Sequence, residues 1–170
     1  MVSERQAART LADWQVVPLE AHHARSILTW RYPYPYDFYD PPADIDPDSY
    51  VSEFMRPELG FHAVLRDEDF VGFCSYGIDG QVPGGDYSAP ALDIGLGMRP
   101  DLTGQGYGGA FFSVILDHAT RSRRVAVFRL TVADFNDRAL ALYRRFGFEA
   151  ESRFIDPRFG VSYTILTTPA

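Results

Sequence analysis

A glycine-rich stretch between a strand and a helix constrains the fold of this chain more than any other feature of its sequence. The stretch runs from Thr103 to Gly109 and reads TGQGYGG. The alternating run Ala91 to Met98 before it predicts a strand, and the apolar run Ala110 to His118 after it predicts a helix. Closely spaced glycines allow backbone conformations closed to other residues, so several amide N–H groups can converge at the helix N-terminus. Unpaired donors and the helix dipole favour an anion there, which predicts a phosphate site.

The order of the other predicted elements indicates a mixed α/β protein with a strand–helix–strand unit in its second half. A length of 170 residues fits a single domain over 1–170. The predicted strands are Phe61 to Arg66, Phe70 to Ile78, Ala91 to Met98, Val125 to Val132, Phe148 to Phe154 and Val161 to Thr167. The predicted helices are Leu19 to Trp30, a short helix capped by Asp48 and running to Met55, Ala110 to His118, and Asp137 to Phe146 with Asn136 as N-cap. Five prolines make the segment 31–48 irregular.

Composition excludes several classes of function. The 23 acidic residues outnumber the 16 basic ones, which argues against binding to a nucleic-acid backbone. There is no apolar run of about 18 residues, so we expect no membrane span. The start of the chain, Met1 to Asp13, is charged and has no continuous apolar segment, so we expect no secretory signal and a cytoplasmic protein. The single cysteine, Cys74, is expected in the core, and no Cys/His cluster predicts a metal site.

Two familiar phosphate-binding motifs fit the glycine stretch poorly. Gly104, Gly106 and Gly109 satisfy the dinucleotide pattern G-x-G-x-x-G, and Asp134 follows near the end of the next strand. That pattern requires glycine at the strand-to-helix turn itself, whereas residues 99–103 intervene here, and the fold needs two such halves. The lysine of a P-loop is missing.

Two motifs at the expected separation resemble the GNAT superfamily of acetyl-CoA-dependent N-acetyltransferases. The first is Thr103-Gly104-Gln105-Gly106-Tyr107-Gly108, where Thr103 replaces the glutamine or arginine usual in the family. The second is Asn136-Asp137-Arg138-Ala139-Leu140-Ala141-Leu142-Tyr143, followed by Gly147-Phe148. The resemblance is close over residues 91–154, the expected cofactor-binding and catalytic core. It implies a central, mixed, mostly antiparallel sheet of about seven strands with helices on both faces.

The resemblance also implies how acetyl-CoA is bound. The fourth and fifth strands of this fold splay apart and receive the pantetheine arm, which hydrogen-bonds the fourth strand. The residues assigned by the match are Leu96, Gly97 and Met98 for the arm, Gly104, Gln105, Gly106, Tyr107, Gly108 and Gly109 for the pyrophosphate, and Asn136 for a further contact. As N-cap, Asn136 also has a purely structural role.

Tyr143 and Asp93 are the catalytic candidates. The Tyr143 hydroxyl can protonate the thiolate leaving group or donate a hydrogen bond to it, although a tyrosine in this apolar setting can also be core. The attacking amine must be neutral, so a base is expected, and Asp93 stands on the fourth strand where related transferases have a glutamate. The alternative for Asp93 is an ion pair with an arginine on a neighbouring strand.

The irregular segment 31–48 lies where related enzymes shape the acceptor pocket. Tyr34, Tyr36, Asp37 and Tyr39 can bind an amine by cation–π and charge contacts, or the segment can be a proline-stiffened lid packed for stability. We therefore expect direct transfer of the acetyl group within a ternary complex. The expected acceptor is a small amine or a protein N-terminus. The resemblance also implies that the enzyme is a homodimer. A non-catalytic module that binds or senses acyl-CoA is the alternative.

Overall fold

Seven strands form one mixed sheet within residues 12–170, the part of the chain that this computed structural model describes. Most of the charged start of the chain, on which the expectation of no secretory signal rests, lies outside the described residues. The strands are β1 (Trp14–Pro18), β2 (His62–Arg66), β3 (Asp69–Tyr76), β4 (Leu92–Met98), β5 (Val127–Ala133), β6 (Glu149–Ile155) and β7 (Ser162–Pro169). Their order across the sheet is β1-β2-β3-β4-β5-β7-β6. Of these seven strands, only β4 and β5 pair in parallel, which confirms the predicted mixed, mostly antiparallel sheet.

Four α-helices connect these strands: α1 (Ala21–Ile27), α2 (Pro47–Phe54), α3 (Gly108–Ser122) and α4 (Asp137–Arg145). The prediction that Asp48 caps α2 was wrong. The cap is Asp46, whose carboxylate accepts a hydrogen bond from the Ser49 backbone N–H at 2.8 Å, and Pro47 takes the first helical position. Asn136 caps α4 as predicted, because its Oδ1 accepts from the Ala139 N–H at 3.1 Å.

Apolar side chains form two clusters, one on each face of the sheet. Consecutive residues of β3 illustrate the division, since Cys74 packs in one cluster and Phe73 against the other. The larger cluster joins α3 and α4 to the central strands through residues such as Phe112 and Phe148. The smaller joins α1 and α2 and includes Trp30. Helices therefore cover both faces, as the sequence predicted.

No helix within residues 12–170 has both the length and the apolar character required to cross a membrane.

Candidate active site

The parallel strands β4 and β5 separate soon after they meet, and the gap opens a cavity. They pair at Leu92–Phe128 and Asp93–Arg129, after which β4 continues along β3 and β5 along β7. The cavity has a volume of about 590 Å³, within the usual range for small-molecule sites. It is lined by β4 and β5, by the glycine-rich stretch, by one side of α4, and by aromatic residues from the segments before β2.

The backbone of β4 presents free polar groups to this gap. The Asp93 carbonyl accepts a hydrogen bond from the Gly77 N–H, and the Arg99 N–H donates to the Val71 carbonyl, both at 2.8 Å and both on the β3 side. Because backbone groups alternate along a strand, Ile94, Leu96 and Met98 direct theirs to the β5 side. The Met98 carbonyl accepts from the Tyr32 hydroxyl at 2.6 Å. Two of the predicted strand residues, Leu96 and Met98, therefore offer N–H groups to a ligand in the gap.

Gly97, the third predicted strand residue, lines the cavity in a different way. Its backbone groups face β3, and the absence of a side chain lets the Phe73 ring pack directly against β4. A Cβ at this position would lie 2.6 Å from the Phe73 ring. Gly95 allows the same close approach two residues earlier, where a Cβ would lie 2.4 Å from Ser75 Oγ.

The glycine-rich stretch turns from β4 into α3 along the cavity wall. Gly104 and Gly106 have φ values of +73° and +86°, a left-handed conformation that residues with a side chain rarely adopt. Gly104, Gly106 and Gly108 line the cavity. The other three predicted loop residues, Gln105, Tyr107 and Gly109, lie outside the lining. The Gln105 side-chain amide donates a hydrogen bond to the Asp101 carbonyl, and the centres of the Tyr107 and Trp14 rings are 6.5 Å apart.

Asn136 and Tyr143 both line the cavity from α4. The Asn136 side chain caps the helix and also donates to the Tyr39 hydroxyl at 3.3 Å. The Tyr143 ring packs 4.9 Å from Phe112 and is 7% exposed, on the side open to the cavity. Burial raises the pKa of Tyr143 well above its usual value, with a smaller contribution from Tyr39. The hydroxyl is therefore protonated at neutral pH.

Asp93 is engaged in a buried ion pair. Its two carboxylate oxygens accept from Nε and Nη2 of Arg129 at 2.7 and 2.8 Å, and Gln81 Nε2 donates to one of them at 2.9 Å. Both charged side chains are 4% exposed, and Asp93 does not line the cavity. This geometry favours the ion-pair alternative over a role as general base, since no oxygen of the carboxylate is free to take a proton.

The irregular segment 31–48 contributes two of its four predicted acceptor-binding residues to the cavity. Tyr36 and Tyr39 line it from a short 3₁₀ helix. Tyr34 is 88% exposed, and neither it nor Asp37 is part of the lining.

Three charged residues that line the cavity, Asp79, Arg138 and Arg145, were not predicted from the sequence. Arg138 stacks on Tyr36 with its guanidinium 3.9 Å from the ring centre and approaches Gly104. Because Arg138 follows the predicted site residue Asn136 by two positions, in the first turn of α4, its presence near the cavity could have been predicted from the sequence. Asp79 lies in a single 3₁₀ turn between β3 and β4 and is the only acidic residue lining the cavity within residues 12–170. No group of His, Cys, Asp and Glu in that part of the chain is arranged to hold a metal ion.

Structures with the same fold are found among acetyltransferases. A chimera of spermidine N-acetyltransferase SpeG from Vibrio cholerae and hSSAT is 16% identical with a TM-score of 0.73, and the match covers 92% of this chain and 95% of that one. Aminoglycoside acetyltransferase AAC(6')-Ib in complex with coenzyme A is 11% identical with a TM-score of 0.73, covering 92% and 95%. YncA from Salmonella typhimurium with its cofactor acetyl-CoA is 16% identical with a TM-score of 0.63, covering 92% and 93%. At these identities the matches show the fold.

The family is established by a comparison of the sequence with family models. No protein of curated function matches the chain significantly. The model of the acetyltransferase (GNAT) family matches residues 22–148, about three quarters of the chain and all of the elements from β2 to α4. The splayed strands, the left-handed glycines and the capped helix α4 all lie inside the matched region. The chain belongs to the GNAT family of acetyltransferases, enzymes that take their acetyl group from acetyl-CoA.

Proposed function

We propose that the protein transfers the acetyl group of acetyl-CoA directly to a primary amine while both substrates are bound. The observation that carries this proposal is the continuity of the cavity. It extends from the glycine-rich stretch, past the free backbone groups of β4 and the Tyr143 hydroxyl, to an aromatic region beside α2. One cavity can thus hold the donor and the acceptor together, which direct transfer requires.

The residues that line the first part of the cavity suit coenzyme A. The loop from Gly104 to Gly109 precedes the N-terminus of α3, where unpaired N–H groups and the helix dipole favour the diphosphate. Arg138 adds a positive charge beside Gly104, which offsets the loss of the family's usual glutamine or arginine at Thr103. The N–H groups of Leu96 and Met98 can hold the pantetheine arm as a further strand would be held. Acetyl-CoA supplies the acetyl group as a thioester.

Tyr143 is the residue we assign to the leaving group. Tyr143 lines the cavity from α4, and its hydroxyl remains protonated at neutral pH because burial raises its pKa. A hydroxyl in this state can donate a hydrogen bond to the sulfur as negative charge develops there, and can then give up its proton.

The cysteine of the chain supports direct transfer over an acyl-enzyme route. Cys74 is fully buried in the core, and burial raises the pKa of its thiol to about 12. A neutral, inaccessible thiol is not a nucleophile, so Cys74 is a core residue.

The acceptor class follows from the family and from the aromatic walls of the cavity. Solved structures of this fold include proteins named for spermidine and for aminoglycosides, both of which carry amines. Tyr39 lines the cavity here and offers an aromatic ring to a cation, whereas the Tyr36 ring is already stacked against the Arg138 guanidinium. The expectations of a cytoplasmic location and a homodimer rest on the sequence and on the family resemblance, and they stay predictions.

Replacing Tyr143 by Phe tests the enzyme against the sensing module. We expect acetyl-CoA to bind both proteins in calorimetry, since the ring is kept. We expect thiol release with an amine to slow by about 10- to 100-fold or more in Tyr143→Phe, because the proton donor is lost. Unchanged turnover in this variant would remove Tyr143 from the mechanism. Binding of acetyl-CoA without thiol release from any amine would favour the sensing module.

Tyr76→Phe is the matched control. Tyr76 is also buried, but its hydroxyl donates to the Ile115 carbonyl at 3.1 Å in the core behind the sheet, away from the cavity lining. We expect Tyr76→Phe to cost about 1 kcal/mol of stability for the lost hydrogen bond and to leave turnover within about twofold of wild type.

A further inference from the structure

The part of the cavity beside Gly95 and Gly97 combines aromatic walls with one carboxylate. Phe73 lies against Gly97, and the Trp30 ring stacks on Phe73 at 6.0 Å. Tyr50 of α2 lines the same region. Because Gly97 has no side chain, the Phe73 ring packs directly against β4 and forms the wall of the cavity there.

Asp79 stands directly over Gly95. Its Oδ2 lies 3.1 Å from the place that a Cβ of Gly95 would take, so the carboxylate is one residue along β4 from Leu96. The buried hydroxyl of Ser75 donates to Oδ2 at 2.7 Å and fixes the group. No arginine pairs with it within residues 12–170, in contrast to Asp93. The second oxygen, Oδ1, is free to meet a ligand.

The charges around the cavity favour an acceptor with one positive charge. Within residues 12–170, Asp79 is the only acidic side chain in the lining, and the two basic ones are Arg138, which we place beside the diphosphate, and Arg145. An acceptor with several ammonium groups would find a carboxylate for only one of them. An apolar body would instead contact the aromatic rings, which also attract a single ammonium through their faces.

We propose that Asp79 binds the ammonium group of the acceptor and takes its proton, and that the acceptor is a monoamine with an apolar body. This inference rests on the proposed acetyl transfer and adds the residue and the substrate class to it.

The proton balance of this step is complete. Asp79 takes one proton from the ammonium group and later releases it to solvent, which leaves the nitrogen lone pair free to attack. The carbon–nitrogen bond forms and the carbon–sulfur bond breaks. The nitrogen loses a second proton as it becomes an amide, and that proton balances the one that Tyr143 gives to the sulfur. The products are the acetylated amine, coenzyme A with a free thiol, and one proton.

The surroundings of Asp79 prepare it for this role. Burial raises the pKa of its carboxyl, the Ser75 hydrogen bond opposes the rise, and the nearby negative charge of Glu53 adds to it. The other ionisable groups close by are Tyr50 on α2 and Asp93, which is held by Arg129. A carboxylate with a raised pKa is a stronger base than one with an ordinary pKa.

The test compares wild type, Asp79→Asn and the control Asp117→Asn, an exposed carboxylate on α3. Thiol release is measured with acetyl-CoA and four amines: 2-phenylethylamine, 3-methylbutylamine, spermidine and kanamycin. For wild type we expect kcat/KM to be at least about tenfold higher with one of the two monoamines than with either polycation. For Asp79→Asn we expect kcat/KM for that monoamine to fall by about 100-fold or more, with the KM for acetyl-CoA unchanged. Asp117→Asn should match wild type.

The pH profile separates a proton acceptor from a structural residue. Wild-type kcat/KM should fall on the acid side with an apparent pKa above the usual 3.8 of an aspartate, and Asp79→Asn should lose that limb. Retention of kcat/KM within twofold in Asp79→Asn, an unaltered acid limb, or preference for a polycation would overturn the inference while leaving acetyl transfer intact. Failure of wild type to acetylate either monoamine would overturn it too. Failure to bind acetyl-CoA would instead overturn the proposed function.

Discussion

At the scale of single residues, the two left-handed glycines are the positions where the cofactor loop tolerates no side chain. Gly104→Ala places a Cβ at φ +73° and 3.2 Å from Arg138 Nη1, so the backbone is strained by about 1 kcal/mol or more and the guanidinium is displaced. We expect the KM for acetyl-CoA to rise by about tenfold. Gly109→Ala meets nothing within 4 Å and has no left-handed φ, so its KM should change far less. Steady-state kinetics at saturating amine measure both. Equal effects of the two substitutions would contradict this account of the loop.

Single residues also show where sequence reasoning works. Gly104 and Gly106 were predicted because closely spaced glycines indicate a backbone conformation that other residues rarely adopt. Asn136 was predicted as a cap because the capping hydrogen bond spans only three residues. Asp79 was missed because its meaning depends on Gly95 and Ser75, which a strand pairing brings beneath it. No sequence pattern around Asp79 indicates that it lies beside Ser75 and Gly95.

At the scale of elements, the Asp93–Arg129 pair joins β4 to β5 at the point where the strands begin to separate. Asp93→Asn leaves the Arg129 charge buried without its partner, so we expect a loss of about 3–5 kcal/mol in the free energy of unfolding by urea. The double variant Asp93→Leu/Arg129→Met should recover much of that loss, because two apolar side chains replace the pair. It should also keep thiol release near the wild-type rate. A stable but inactive double variant would restore Asp93 as the general base.

Elements differ in how well their boundaries could be predicted. Helix α4 was predicted to within one residue because its N-cap and Gly147 mark both ends. Strand β1 was not located, since five residues ending in Pro18 show no clear alternation and the strand forms only by pairing with β2. The separation of β4 and β5 came from the family resemblance, because hydrophobic pattern does not say where two paired strands part.

At the scale of the whole molecule, the acidic composition has a consequence for stability at low pH. Hydrogen bonds lower the pKa of five aspartates. Asp46 receives them from Ser49, Asp86 from Ser88, Asp101 from Arg99 and Asp156 from Arg158. Burial raises the pKa of Asp134, but the hydrogen bonds from Ser162 and Thr164 and the charge of Arg153 outweigh it. Each contributes stability that is present above the usual value of 3.8 and is lost as pH falls through the lower, folded pKa. Burial lowers the pKa of His23 and His118 below 6.5, so protonation also favours the unfolded chain as pH falls below that value. Asp79 acts in the opposite sense, because burial raises the pKa of its carboxyl.

These shifts predict a two-stage loss of stability on acidification. The urea midpoint should be constant near pH 7 to 8, fall gently below about pH 6.5 as the unfolded histidines gain protons, and fall steeply below about pH 4. His23→Gln combined with His118→Gln should remove the gentle stage and keep the steep one, because the aspartates are unchanged. His118→Gln alters the contact with the Tyr76 hydroxyl, so the double variant can start from a lower midpoint, and the slope with pH is the quantity to compare. A midpoint that rises between pH 6.5 and 4 would mean that raised carboxyl pKa values such as that of Asp79 dominate the molecule. The raised pKa of the acceptor site would then change the free energy of unfolding between pH 6.5 and 4 more than the lowered pKa values of the histidines and the hydrogen-bonded aspartates do.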